Sequence, residues 1–335
     1  MLEVAIYGEI NLPIGVGLVG TGFVAKVRAQ SIELESRTQL VAVAGRNPIR
    51  TAKFAAGFNT RAVADWQTLV AMPGIDLVIV STINGGRGEI VRGAIAAGKH
   101  TIVEYPISLD PQEAAEIVAL AAAKKVLLHV EHIELLGGLH QTMREWLGRL
   151  GEVYYARYST IVPQRPAPQK WTFHRTEFGF PLSGALSRLH RFTDLFGSID
   201  SISCENQYWG GVGDYYQTCL CTAQLRFRNS KAIGEVVYGK GAGLWQGARK
   251  FEVHGEHGAL VFDGDTGVFI QADVSTPIDL GSRKGLFVKD LEFVLDRLLH
   301  GKPNYVTPTA SLATLRVADA ARISAETHRT VIVSS

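Results

Sequence analysis

Cysteine is scarce: Cys204, Cys219 and Cys221 are the only three in 335 residues. Three is an odd number, and no C-x-x-C pair or His/Cys cluster accompanies them. That argues against a disulfide scaffold or a structural zinc site and fits a reducing, cytoplasmic setting with no metal. Long apolar runs are also missing. Nothing approaches the ~18 continuous apolar residues of a membrane-spanning helix. The amino-terminal segment has Glu3 and Glu9 and no basic stretch, so it does not read as a secretion signal; residues 1–13 look like a leader before the first strand. Excess charge of one sign is lacking as well: Lys plus Arg number 34 and Asp plus Glu 32, a net charge of +2. A protein that neutralises a phosphate backbone would be far more basic, so no nucleic-acid partner is expected, although a local basic pocket for a small anion remains open.

What is present is apolar residues, at 46% of the chain, enough to build a sizeable core and to exclude wholesale disorder. The length suggests two domains at ~150 residues each. Short β-branched runs over residues 14–19, 40–44, 76–81, 101–104 and 126–130 read as strands apolar on both faces, as parallel strands under helices are. They alternate with helical patterns over 24–34 and 89–97, the latter stopped by Gly98, and with helices started by Asn47-Pro48 and by Asp110-Pro111, where Glu113 is placed to complete a capping box. This alternation predicts a doubly wound α/β domain of the Rossmann kind over residues 1–131. From there to 335 the pattern changes. Residues 152–160, 201–208, 219–227, 232–238, 250–254 and 258–262 read as strands with alternating faces, joined by glycine-rich turns and one helix over 181–196, with closing helices over 291–299 and 310–327. The prediction is α/β plus α+β, the second domain (132–335) carrying a large, mostly antiparallel open β-sheet and the substrate. Residues 163–170 form a proline-rich loop able to line a site.

Gly20-Thr21-Gly22-Phe23-Val24-Ala25 matches G-x-G-x-x-A between a strand and a helix. Gly20 permits a tight turn, Gly22 lets the backbone approach a pyrophosphate, Ala25 allows close helix–strand packing, and the helix N-terminus faces the phosphates. The second strand runs into Gly45-Arg46-Asn47 without the acid that usually holds an NAD ribose. Arg46 could instead pair with a 2′-phosphate, with Asn47 beside it, so NADPH is expected over NADH; a solvated loop arginine is the other reading. Thr82 and Asn84 follow the fourth strand and are expected near the nicotinamide, with Arg87 as an anion contact.

These features, followed by Val103-Glu104-Tyr105-Pro106 after the fifth strand and then an open sheet, resemble the Gfo/Idh/MocA oxidoreductases over essentially the whole chain. Dehydrogenases of that family usually have E-K-P, the lysine acting on a substrate hydroxyl; here Tyr105 stands in its place. They often carry D-x-x-x-H-x-x-D on the helix aimed at the nicotinamide. Aligned on Asp194, that motif puts Ser187 and Arg191 where the first aspartate and the histidine would be. A second block, His129-Val130-Glu131-His132-Ile133-Glu134-Leu135-Leu136, joins E-Y-P in resembling the family's biliverdin-reductase branch, nearer the cyanobacterial type than the mammalian. The cysteine-rich tail of the mammalian type is absent, so its zinc binding is not carried over. The resemblance implies NADPH-dependent reduction of a linear tetrapyrrole, a flat conjugated acid with two propionates, and a monomer or weak homodimer. It also implies that the Tyr105–Pro106 bond can be cis. Rival expectations are an oxidoreductase acting on a sugar or cyclitol, and a non-catalytic NADP-binding regulator.

Such a reduction needs hydride at the central methine carbon, a proton on a pyrrole nitrogen, and stabilisation of the charge that develops there. On the 181–196 helix, Leu182, Ala185, Leu186, Leu189, Phe192 and Phe196 form one apolar stripe, and Arg188 and Arg191 share the other side with Gly184 and Ser187. These arginines are the expected charge stabilisers, a solvated face being the alternative. Arginine is a poor acid, so the proton is expected through water or through His132, Glu104 or Tyr105. A structural hydrogen bond is the rival reading for Glu104, and simple packing the rival for Tyr105. His129 reads as a core histidine, and Glu131 and Glu134 as structural caps or ion-pair members. Arg165, Lys170 and Trp171, with Ser187, are expected substrate contacts, Lys240 among further cations for the propionates.

Overall fold

A computed structural model describes residue 7, residues 11–282 and residues 284–333. Of the leader expected over residues 1–13, all but Tyr7 and residues 11–13 lies outside the described residues. The chain falls into two compact units: residues up to 136 with 284–312, and residues 137–282 with 313–333.

The first unit holds a six-stranded sheet of β1 (Ile14–Val19), β2 (Thr38–Ala44), β3 (Arg61–Val63), β4 (Leu77–Val80), β5 (His100–Glu104) and β6 (Leu128–Glu131), ordered β3-β2-β1-β4-β5-β6. All the pairings are parallel. The order reverses between β1 and β4, and a crevice at the carboxyl ends of the strands opens at such a reversal. Every residue of β1 and β4 is buried, as strands covered on both faces must be. Asn47 caps helix Pro48–Gly57 by accepting from the Arg50 amide, and Asp110 caps helix Pro111–Lys124 by accepting from the Gln112 amide. The reciprocal half of the predicted capping box is replaced. Ser108 Oγ donates to Glu113 and accepts from the Asp110 amide, so the carboxylate is used one step away from the backbone.

Residues 284–312 group here rather than with the expected second domain, which begins at 137 instead of 132. The reason is apolar. Leu291, Val294, Leu295 and Leu298 of helix Leu286–His300 lie in one buried cluster with Ile14, Val16 and Leu18 of β1.

The second unit holds a nine-stranded sheet. Its strands are β7 (Val153–Pro163), β8 (Ile199–Trp209), β9 (Thr218–Phe227), β10 (Ile233–Gly241), β11 (Ala248–Gly255), β12 (Gly258–Asp263), β13 (Thr266–Gln271), β14 (Val274–Ile278) and β15 (Val331–Ile332). The order is β14-β13-β12-β11-β7-β10-β9-β8-β15, antiparallel except where β10 meets β7. Strands β13 and β14 were not foreseen: β13 has only three consecutive apolar residues, Val268 to Ile270, and β14 is mostly exposed and contains Pro277. The predicted 181–196 helix is two helices, Pro181–Gly184 and Ser187–Phe196. Gly184 sits where an added Cβ would lie 2.5 Å from the Phe178 ring, and Ala185 leaves helical geometry directly after it.

Leu295→Ala should lower the free energy of unfolding by about 2–5 kcal/mol in urea denaturation; a change near zero would show that this helix does not belong to the first unit's core.

Candidate active site

The glycine turn has the form a pyrophosphate needs. Gly20 has φ +130°, and a Cβ there would lie 2.3 Å from the Ser81 carbonyl oxygen, so only glycine fits. Gly22 caps helix Phe23–Leu34 without a side-chain hydrogen bond, and a Cβ on it would meet nothing within 4 Å. The backbone at Gly22 is therefore open to close approach, and no side chain caps the helix start, as an anion site requires. Phe23 is 81% exposed at this turn, and Ala25 is buried beneath it. Arg46 and Asn47 are exposed beyond β2, although the Asn47 side chain is already used as a helix cap. Thr82 Oγ1 donates to the Ile83 carbonyl at 3.1 Å, and Asn84 is buried.

Arg87 is not available as an anion contact, which corrects its assignment to substrate. It is 2% exposed, and its guanidinium donates to the carbonyls of Glu104 and Tyr105 at 2.8 Å, of Pro106 at 3.0 Å, and of Thr82. It clamps the segment around the cis Tyr105–Pro106 bond to the loop after β4. Burial pulls its pKa down to about 10.

At the carboxyl end of β5 lies a buried polar network. Arg28 donates through Nε to Glu104 Oε1 at 2.9 Å and through Nη1 to Asp290. Asp290 also takes the His129 ring at 2.8 Å and the Tyr305 hydroxyl at 2.6 Å. Tyr305 in turn accepts the His132 amide at 3.0 Å, and His132 Nε2 pairs with Ser311 Oγ at 2.9 Å. Burial opposes the charge on Arg28, yet Glu104, Asp290 and Glu131 outweigh it and hold the guanidinium charged. Burial likewise opposes ionisation of Asp290, but Arg28 and His129 keep its carboxyl far below the usual range. The Tyr105 ring stacks on His132, centroids 5.1 Å apart and 6° from parallel. Three sequence-predicted residues (Glu104, Tyr105 and His132) are thus brought together. Arg28, Asp290 and Tyr305 were missed. A signal existed: Arg28 falls on the buried stripe of Ala25, Ala29 and Ile32, and Asp290 on that of Val294 and Leu298, each a charge at an apolar position.

In the second unit, helix Ser187–Phe196 buries both of its sides. The solvated-face reading fails for Ser187 and Arg191, which are enclosed against the sheet. Arg188 is half-buried, donating to Ser187 Oγ at 2.9 Å and to Thr160 Oγ1 at 3.4 Å, its guanidinium 5.6 Å from the Tyr238 ring. Arg191 is 2% exposed and lies 5.5 Å from the Tyr158 ring. Asp194 pairs with His140 Nε2 at 2.7 Å and with Arg144 at 3.6 Å. Burial opposes its ionisation, but the His140 hydrogen bond together with the charges of His140, Arg144 and His190 lowers its pKa. Lys240 is no surface charge: its ammonium sits 3.8 Å from the Phe178 ring and 4.8 Å from that of Phe173, donates to the Thr172 carbonyl, and is pulled by burial to about 8. Arg165 is exposed but donates to the carbonyls of Ala242 and Leu244 and covers Trp245 at 3.8 Å. Lys170 is exposed, and Trp171 packs against Phe178 at 5.9 Å. Cys204 and Cys221 are free thiols 3.6 Å apart in the core, and among the described residues no group of three or more His, Cys, Asp or Glu could hold a metal. No helix among them is long and apolar enough to cross a membrane.

Residues 14–132 match the NAD-binding Rossmann-fold model of the Gfo/Idh/MocA oxidoreductase family, and residues 144–333 match that family's C-terminal alpha/beta domain. The chain belongs to the Gfo/Idh/MocA family. It carries that oxidoreductase family's NAD-binding Rossmann domain. Among solved Gfo/Idh/MocA structures, it is similar to biliverdin reductase from Synechocystis sp. PCC 6803, crystallised with biliverdin and NADP+. They share 48% identity with a TM-score of 0.91 over 94% of this chain and 99% of that one. It is 28% identical to biliverdin reductase A of Mus musculus over 67% of this chain and 66% of the relative. It is 32% identical to a dTDP-3,4-didehydro-2,6-dideoxy-alpha-D-glucose 3-reductase of Saccharopolyspora spinosa over 50% of this chain and 51% of the relative. The chain thus spans about half to two thirds of the length of these two curated relatives.

Because the space in front of Gly22 is open, Gly22→Ala should leave the unfolding temperature unchanged and weaken NADPH binding about ten-fold or more in a fluorescence titration. Unchanged affinity would place the pyrophosphate elsewhere.

Proposed function

We propose that this enzyme reduces biliverdin to bilirubin with NADPH. The observation that carries this reading is the 48% identity, over nearly the whole chain, to a biliverdin reductase solved with that pigment and NADP+. Local chemistry supports it. A hydroxyl dehydrogenase needs a group to take the hydroxyl proton. Here Tyr105, stacked on His132, stands where the lysine of E-K-P would, and Ser187 and Arg191 occupy the positions of the other acid–base pair.

The residues present fit the dinucleotide. The uncapped amides after Gly22 would hold the pyrophosphate, the exposed Arg46 the 2′-phosphate, and the end of β4 with Thr82 and Asn84 the nicotinamide side. When bound, the reduced nicotinamide supplies hydride to the central methine carbon. Arg188 is the better candidate for stabilising charge on the pyrrole nitrogens: it retains exposure, and its guanidinium is steadied by Ser187, Thr160 and the Tyr238 ring. Arg191, enclosed over Tyr158, is assigned to support of the helix. Arg165 remains a candidate propionate partner because two carbonyls and the Trp245 face fix its position without neutralising it.

Purified protein with NADPH and biliverdin should turn from blue-green to yellow. No reduction of biliverdin, with turnover of a nucleotide sugar or cyclitol instead, would select a sugar oxidoreductase; cofactor binding with no turnover would select a regulator. Arg188→Ala should lower kcat about 100- to 1,000-fold with little change in NADPH affinity, and Arg191→Ala should chiefly lower stability; equal kcat losses in both would reject the division of roles. Arg46→Glu should reverse the preference for NADPH over NADH, measured as the ratio of kcat/KM values; an unchanged ratio would remove Arg46 from the cofactor site.

A further inference from the structure

Glu104 and Glu131 end the neighbouring parallel strands β5 and β6 as register partners, so both side chains leave the sheet on one face at its carboxyl edge. Glu131 is 2% exposed, and Glu104, its register partner on the next strand, is its nearest acidic neighbour along the sheet. Two carboxyl groups set side by side in a buried setting disfavour double ionisation, because the like charges repel and burial penalises each, so one of them holds a proton. Of the surrounding charges, Arg28 favours the ionised form of Glu131 and Asp290 opposes it, and burial outweighs the guanidinium. Arg28, on the helix after the glycine turn, donates to Glu104 and to Asp290. Arg87 donates to carbonyl oxygens. Asp290 and Tyr305, from the 284–312 segment, add a carboxylate and a hydroxyl bonded to each other, and His129 pairs with that same carboxylate. Glu131 Oε1 accepts only a backbone hydrogen bond, from the Ile133 amide, which does not neutralise charge. The pair also has one closed and one open end: the Glu104 side chain keeps 12% of its surface accessible.

We propose that Glu131 stores the proton consumed in the reduction and passes it on through Glu104. The proposal rests on the biliverdin reading for what receives the proton; the existence of the stored proton does not. Burial, reinforced by the Glu104 carboxylate beside it, raises the pKa of Glu131 well above the ordinary range, so it holds its proton where a free glutamate has lost it. The balance is simple. The cofactor delivers a hydride, with both electrons, to the methine carbon. The Glu131 O–H bond breaks as Glu104 takes up that proton, Glu104 releases one proton toward the pyrrole nitrogen, and one solvent proton recharges the pair in each turnover. Glu131 touches neither substrate nor cofactor in this scheme and is a positioning residue that acts through Glu104.

The test pairs infrared spectroscopy with kinetics. At neutral pH the wild-type protein should show a protonated-carboxyl C=O band that shifts in D2O and is missing in Glu131→Gln; a wild-type spectrum without that band overturns the proposal, and needs no variant to fold. Glu131→Gln retains size and hydrogen bonding but has no acid proton. It should bind NADPH normally, lose about ten-fold or more in kcat for biliverdin, and lose the alkaline limb along which wild-type turnover falls as Glu131 deprotonates. A purely structural Glu131 would lower the unfolding temperature without moving that limb, and a wild-type kcat and pH profile in Glu131→Gln would overturn the proposal. If wild-type protein does not reduce biliverdin, the functional reading fails on its own, and the infrared band still decides whether the shared proton exists.

Discussion

Arg28 is the charge around which the first unit is organised. Its guanidinium holds Glu104, from the end of a central strand, and Asp290, which lies 262 residues further along the chain. A buried pair of this kind gains little over a well-packed apolar substitute, yet losing one partner costs ~3–5 kcal/mol because the other is left uncompensated. The arrangement therefore contributes specificity. It ties the helix after the glycine turn, the carboxyl edge of β5 and helix Leu286–His300 to one point. His129 and Tyr305 complete the coordination of Asp290, and through Tyr305 the constraint reaches His132 and the stacked Tyr105.

The candidate chemistry grows out of the same carboxyl edge. In this family the residue between Glu104 and Pro106 is usually a lysine, whose ammonium would add a charge to the network. A tyrosine adds a ring instead, lying flat on His132, and brings no further positive charge to the carboxyl groups of Glu104 and Glu131 beyond that of Arg28. That substitution suits a conjugated acceptor that needs a proton and a flat surface more than a hydroxyl that must lose a proton. The cations of the second unit follow a similar economy. Lys240 is enclosed by aromatic rings and Arg191 by the sheet, while Arg188 keeps some freedom.

The glycine turn, the helix starts at Asn47 and Asp110 and most strands were legible because each depends on residues close together in sequence: a φ only glycine tolerates, a side chain reaching an amide two or three positions on, a run of β-branched residues buried on both faces. The family was legible for a similar reason, through E-Y-P and H-V-E-H at the ends of two strands. Arg87 was misread because nothing local says that an arginine opening a helix will turn inward to collect backbone carbonyls. The 181–196 helix was read as unbroken because the Phe178 ring that packs against Gly184 comes from outside that segment, at the end of the short helix Arg175–Phe178.

The sequence by itself determined the dinucleotide turn, the parallel alternation and the absence of a lysine before Pro106, since these are set by backbone preference and residue identity over a few positions. Only the tertiary structure decided that residues 284–312 join the first unit and that Arg28 meets Asp290. It alone decided that Glu131 is buried next to Glu104 at the carboxyl edge of the sheet. Those outcomes depend on which apolar stripes share a core and on which buried charges find a partner across hundreds of residues, and no local pattern encodes that choice.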